Sequence, residues 1–177
     1  MDKNIVMVIA PENFRDEEYL VPKEIFEKEG IKVTTASKGV KTAVGKLGAR
    51  VKVDIDICEI DSTDFSAIVL VGGPGALNYK MDSILAKILE DFYMEDKLIS
   101  AICIAPVILA QNRILRRKKA TVWSDESRET IKFIEQKEAI YVDMLVVEDE
   151  NLITANGPAA AEEFAEKIIE HLSKIPN

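Results

Sequence analysis

Histidine is almost missing from this chain: His171 is the only one in 177 residues, and there are only two cysteines, Cys58 and Cys103. Two cysteines do not make a disulfide framework. A zinc site of the usual kind needs about four Cys, His or carboxylate ligands, and nothing in the sequence clusters that way, so no metal and no cofactor is expected. No apolar run reaches the roughly 18 residues of a membrane span. Positive charge is also in short supply. Asp and Glu outnumber Lys and Arg by 31 to 23, for a net charge of -8. So acidic a chain repels phosphate backbones, which argues against nucleic acid as a partner. The one basic run, Arg113–Ala120 (RILRRKKA), reads as a solvated helix end whose cations complement the dipole. Glutamine occurs only at positions 111 and 136 against abundant Lys and Glu, a bias of thermophilic proteins.

What is present is a globular composition, 47% hydrophobic and 31% charged, at a length suited to one domain spanning 1–177 with a sizeable core. The N-terminal run 4–10 (NIVMVIA) lacks a small-residue cleavage site. It reads as a buried first strand rather than a signal peptide, so a cytoplasmic location is the default expectation. Further strands are expected at 31–37, 67–73 (AIVLVGG) and 98–104 (LISAICI), with a half-exposed one at 48–58 carrying Cys58. Residues 119–123 (KATVW) read as a short strand. Two strands are expected within 143–157, around a turn at 148–151. Helical spacing marks 16–30, 82–96, 105–115, 124–136 and 158–174. Pro22 places the regular start of the first of these near itself, and Ser124 is the expected cap of the fourth. Alternating strands and helices predict a three-layer α/β/α sandwich, flavodoxin-like, with a mostly parallel central sheet. In such sheets ligands bind beyond the carboxyl ends of the strands, here just after Ala10, Val71 and Ile102.

Three stretches lie at those ends. Cys103 stands where a strand becomes a helix. Backbone N–H groups at such a turn, including that of Ile104, favour a thiolate, and Ala105 with Pro106 permits a tight turn. A buried space-filling cysteine fits the local residues as well. VGGPG at 71–75 places Gly72, Gly73 and Pro74 after a buried strand, where backbone N–H groups can turn inward and hold an oxyanion. It lacks the G-x-G-x-x-G spacing of nucleotide loops. The acids Asp16, Glu17 and Glu18 suit a first helical turn, and one of them pointed inward would keep its proton against a thiolate.

Taken together, EEYLVP, VLVGG, AICIAP and NGPAAAEEFA, in that order and spacing, resemble the ThiJ/PfpI superfamily of DJ-one-like proteins over nearly the whole chain. The resemblance implies a homodimer or larger assembly and makes Cys103 the site thiol. It makes Glu18 the neighbouring acid and Gly73 the donor of a backbone N–H facing the sulfur. Cys58 matches a surface or interface cysteine of the family, although a half-buried strand residue is the plainer reading. Two departures stand out. PfpI-type peptidases carry a histidine where this chain has Ile104. Deglycases and type III glyoxalases bring one from the stretch resembling KATVW, where this chain has Trp123. His171, near the end of the last helix, is expected in solvent. General acid–base help is worth about 10²–10⁴-fold, so Glu18 must supply it. The expected activity is deglycase- or glyoxalase-like, on small reactive carbonyls. The alternative is a redox-responsive stress protein whose Cys103 meets an oxidant, and a PfpI-type peptidase comes third, because Ile104 and Trp123 narrow the pocket.

Overall fold

The computed structural model describes residues 3–174. Three apolar strands form its centre: β1 (Asn4–Val8), β7 (Ala67–Leu70) and β8 (Leu98–Ile102). All of β7 and β8 is buried, as is β1 beyond Asn4. A strand with no exposed face needs cover on both sides, which explains why these runs are continuously apolar rather than alternating.

Around them lie β3 (Lys32–Ser37), β6 (Ile55–Asp56), β11 (Val146–Asp149) and β12 (Leu152–Ala155). The seven-stranded sheet runs β11-β12-β8-β7-β1-β3-β6. All pairs are parallel except β11 with β12, a hairpin. The chain leaves β1 toward β3 on one side and returns through β7 and β8 on the other. The reversal falls between β1 and β7, the crevice such folds use for ligands. Register brings the strand ends level, with Val8 opposite Leu70 and Leu70 opposite Ala101.

The helices are α1 (Asp16–Lys28), α2 (Ser83–Met94), α3 (Pro106–Gln111), α4 (Glu129–Gln136) and α5 (Ala161–Lys174). α1 packs against α5, α3 against α4, and α2 and α3 against β8. Phe14, Phe26, Phe92 and Phe164 are fully buried. Two small sheets complete the chain. β2 (Glu12–Phe14), β4 (Thr42–Gly45) and β5 (Arg50–Lys52) form one, and β9 (Lys119–Ala120) with β10 (Ile140–Tyr141) the other. Among the described residues no helix is long and apolar enough to cross a membrane.

Several local expectations change. α1 starts at Asp16, six residues before Pro22. Pro22 has no N–H to donate to the Glu18 carbonyl four residues back, so the cost is one helix bond rather than the whole first turn. α3 stops at Gln111 instead of 115, and the basic run follows it in turns where Arg113 and Arg117 take positive φ. Ser124 does not cap α4. That helix begins after Arg128, and it is Ser127 Oγ that accepts the Glu129 N–H at 3.3 Å. Cys58 lies exposed on a 3₁₀ turn, Ile57–Glu59, capped by the Asp56 carboxylate, rather than half-buried on a strand.

Candidate active site

The strand ends of β1, β7 and β8 converge on Cys103. Its φ is 65°, a left-handed conformation uncommon for a residue with a Cβ. Both backbone polar groups are fastened there: the Cys103 N–H donates to the Ala155 carbonyl at 2.8 Å, and its carbonyl accepts the Trp123 N–H at 2.8 Å. Such strain persists where surrounding contacts enforce it, and it concentrates at functional turns. The result is a side chain aimed off the sheet edge yet only 9% exposed.

Each of the three acids that open α1 has a different task. Asp16, 5% exposed, accepts the Leu47 N–H at 2.8 Å and the Ala49 N–H at 2.7 Å, so it holds the β4–β5 turn. Glu17 pairs with Arg15 through two bonds of 2.9 and 3.1 Å. Glu18 is fully buried and turned toward Cys103. Neither of its carboxyl oxygens has a donor in good hydrogen-bond geometry; the nearest are the Cys103 thiol and the Gly72 N–H.

Gly72 makes this approach possible. A Cβ there would lie 2.5 Å from Glu18 Oε2 and 2.6 Å from Cys103 Cβ, closer than any side chain permits. Its carbonyl accepts the Arg15 N–H at 2.9 Å, which docks the start of α1 on the end of β7. Gly72 therefore lies behind the site rather than in its wall. Ala105, fully buried, does the same, its N–H closing a turn to the Ile102 carbonyl.

Burial pushes the Cys103 thiol up to about 12, helped by the Glu18 charge and hydrogen bond; the N–H groups of Gly73 and Ile104 pull the other way. This corrects the expectation that the turn alone leaves the sulfur easy to ionise, because desolvation outweighs the two backbone donors. Burial also raises Glu18, to about 7, against the opposing pull of the Cys103 hydrogen bond, the Arg15 charge and the Gly72 N–H. Glu18 therefore loses its proton first, near neutrality, and its charge helps the thiol keep its own.

A pocket of about 340 Å³ opens onto the sulfur, lined by Arg15, Glu18, Lys46, Gly73, Pro74, Leu77, Cys103, Ile104, Trp123 and Pro158. Sequence reasoning reached Glu18, Cys103, Gly73, Pro74, Ile104 and Trp123, but missed Arg15, Lys46, Leu77 and Pro158. Arg15 stood beside the acids as a visible cue. Lys46 comes from a distant hairpin and left no local signal. No histidine lines the pocket; His171 is half-buried elsewhere, its Nδ1 2.8 Å from Glu148 Oε1, so it is not simply solvated. A larger groove of about 800 Å³ between α2 and residues 112–117 contains no thiol and no buried acid.

A sheet with this topology, a left-handed cysteine after β8 and a buried glutamate from α1 define a class of α/β proteins with a thiol at a sharp strand–helix turn. The DJ-1/PfpI family model matches residues 3–171, and the chain belongs to that family. It is 40% identical over 171 residues to an uncharacterized protein of Methanocaldococcus jannaschii, covering 96% of this chain and 82% of that one. To protein dj-1beta of Drosophila melanogaster it is 32% identical over 177 residues, covering 98% and 91%. A solved ThiJ/PfpI domain protein from Brachyspira murdochii superposes with a TM-score of 0.92 at 32% identity, covering 98% of each chain. Other relatives bear the names of activities: a glutathione-independent glyoxalase of Caenorhabditis elegans at 26% identity, a deglycase of Pyrococcus horikoshii at 29% and a putative cysteine protease of Bacillus subtilis at 28%.

Proposed function

We propose that this protein is a Cys103-dependent enzyme acting on small reactive carbonyl compounds, of glyoxalase or deglycase type, in which Glu18 carries the proton that a histidine carries elsewhere. The observation behind this reading is the fully buried Glu18 facing Cys103, with both carboxyl oxygens unpartnered, at the closed end of the pocket. A buried carboxyl near neutrality suits proton transfer in both directions.

With a 2-oxoaldehyde the steps balance without an outside oxidant or reductant. Sulfur attacks the aldehyde carbon and an S–C bond forms. The carbonyl π pair moves to oxygen, held by the N–H groups of Gly73 and Ile104, and the thiol proton reaches that oxygen through Glu18. Glu18 then takes the proton from the former aldehyde carbon and returns it to the neighbouring one, while the hydroxyl proton passes from the first oxygen to the second, so the first carbon is oxidised to a thioester and the second reduced to an alcohol. Water cleaves the resulting thioester to a 2-hydroxy acid and frees the thiol. Ile104, Leu77 and Trp123 keep the pocket narrow, which favours small substrates over peptides. Lactate formation from methylglyoxal tests the reading. Wild type should exceed both Cys103→Ser and Glu18→Gln by at least about 10²-fold. Equal background rates in all three would end it.

The histidine-free pocket lining supports a second reading, an oxidisable thiol. A Cys103 sulfinate would accept the same two N–H groups and the proton of Glu18. Mild peroxide should then add two oxygens to Cys103 before Cys58, and earlier oxidation of Cys58 would exclude it. In either role the protein is expected to work as a homodimer or larger assembly.

A further inference from the structure

We propose that Arg15 and Lys46 form an anion-recognising edge on the Cys103 pocket, so that the site takes small electrophiles bearing a carboxylate or phosphate in preference to neutral ones. The proposal rests on the pocket being where Cys103 meets its substrate, and it adds the chemical class.

The lining carries two cations and a single acid. That acid, Glu18, sits at the closed end; Gly73, Pro74, Leu77, Ile104, Trp123 and Pro158 are uncharged. In a chain of net charge -8, with Arg15 offset by Glu17 and Glu18 uncharged below about pH 7, the Lys46 ammonium leaves this small apolar pocket with a net positive charge that draws anions. Arg15 is held by its side chain and Lys46 by its backbone. The two bonds to Glu17 orient the Arg15 guanidinium and leave other N–H donors of the five free for a ligand. Lys46 makes no ion pair among the described residues, and its backbone is pinned. Its N–H donates to the Phe14 carbonyl at 2.8 Å, and the turn that carries it hangs on the buried Asp16. Gly45 has no room for a side chain, since a Cβ would come 2.4 Å from Asp16 Oδ1. A buried carboxylate and a tightly packed glycine thus fix the backbone beneath an exposed ammonium group that has no partner among the described residues. Glu17 balances one of the two cations; an anionic substrate would balance the other.

The test compares two alkylating probes of similar size, iodoacetate and iodoacetamide, which differ in charge. Cys58 is exposed beside Asp56 and Glu59 and serves as reference on the same chain. At low salt, the iodoacetate-to-iodoacetamide rate ratio at Cys103 should exceed that at Cys58 by about tenfold, equivalent to about 1.4 kcal/mol. Lys46→Met and Arg15→Met should each remove most of that preference, Lys46→Arg should keep it, and 0.5 M salt should weaken it in line with a screening length of about 3–10 Å over this range. Protection of Cys103 from iodoacetamide by pyruvate would assign the edge to carboxylates, and protection by inorganic phosphate to phosphates. Equal ratios at the two cysteines, a ratio unmoved by Lys46→Met, or protection by neither anion would overturn the proposal. Because alkylation requires no turnover, a preference for iodoacetate without lactate formation would remove the catalytic reading and leave this one standing.

Discussion

Glu18 is where burial and ionisation conflict most sharply. Its carboxyl is raised from 4.5 in the unfolded reference to about 7 in the fold, mainly by burial. A carboxyl raised in the folded state binds its proton more tightly there. The stability it contributes is fully present below pH 4.5 and lost as pH rises through about 7. The loss amounts to about 3 kcal/mol. Chemical denaturation between pH 4.5 and 8 should show a fall of that size in wild type, most of it absent in Glu18→Gln. Gly72 is the other residue with no latitude. Gly72→Ala should destabilise by about 1–3 kcal/mol through overpacking, and its Cys103 should alkylate with an altered pH midpoint even where the fold survives. The sequence showed three adjacent acids and a Gly-Gly pair. The local pattern could not rank Asp16, Glu17 and Glu18, and only the family resemblance named Glu18, because which one points at the sulfur depends on the phase of α1 against β7, and that is set by the bond from the Arg15 N–H to Gly72.

At the scale of elements, the start of α1 and the β4–β5 turn behave as one unit. Asp16→Ala would leave the Leu47 and Ala49 N–H groups unpaired, at a cost of about 1–3 kcal/mol for each that stays buried. The variant should melt earlier than wild type and should lose part of the charge preference at Cys103, because Lys46 would no longer be held. A melting temperature equal to wild type would contradict the role given to Asp16. Continuous apolar runs such as β7 and β8, and a helical pattern such as that of α2, could be read directly from the chain. Boundaries were harder wherever a single polar bond decides them. Pro22 is tolerated inside α1 because packing against α5 offsets one missing bond. Ser124 does not cap α4 because the helix starts only at Glu129, after a left-handed Arg128. Cys58 leaves the strand because the Asp56 side chain caps a 3₁₀ turn at that point.

For the molecule as a whole, alternating patterns identified the parallel sheet, since its strands must be apolar on both faces to lie between layers of helices. The pocket was only half legible, because it gathers residues from positions 15 to 158 and pattern along the chain carries no information about such distant approaches. The same holds for the surface. Leu20 on α1 and Leu47 on the turn that Asp16 holds are 47% and 62% exposed. Each is an apolar group that an assembly of the kind proposed above would cover. Light scattering should give a mass of at least twice 19.7 kDa, reduced toward one chain by Leu20→Glu with Leu47→Glu. An unchanged mass in that double variant would move the interface elsewhere.

The pH dependence of iodoacetamide alkylation at Cys103, measured beside Glu18→Gln, bears most directly on the coupling of thiol and carboxyl. Wild type should gain reactivity only well above the ordinary cysteine value of about 8.5, because burial and the charge of Glu18 hold the thiol up, and Glu18→Gln, which removes that charge, should bring the midpoint down. A wild-type midpoint at or below about 8.5, or one that Glu18→Gln leaves in place, would contradict the account.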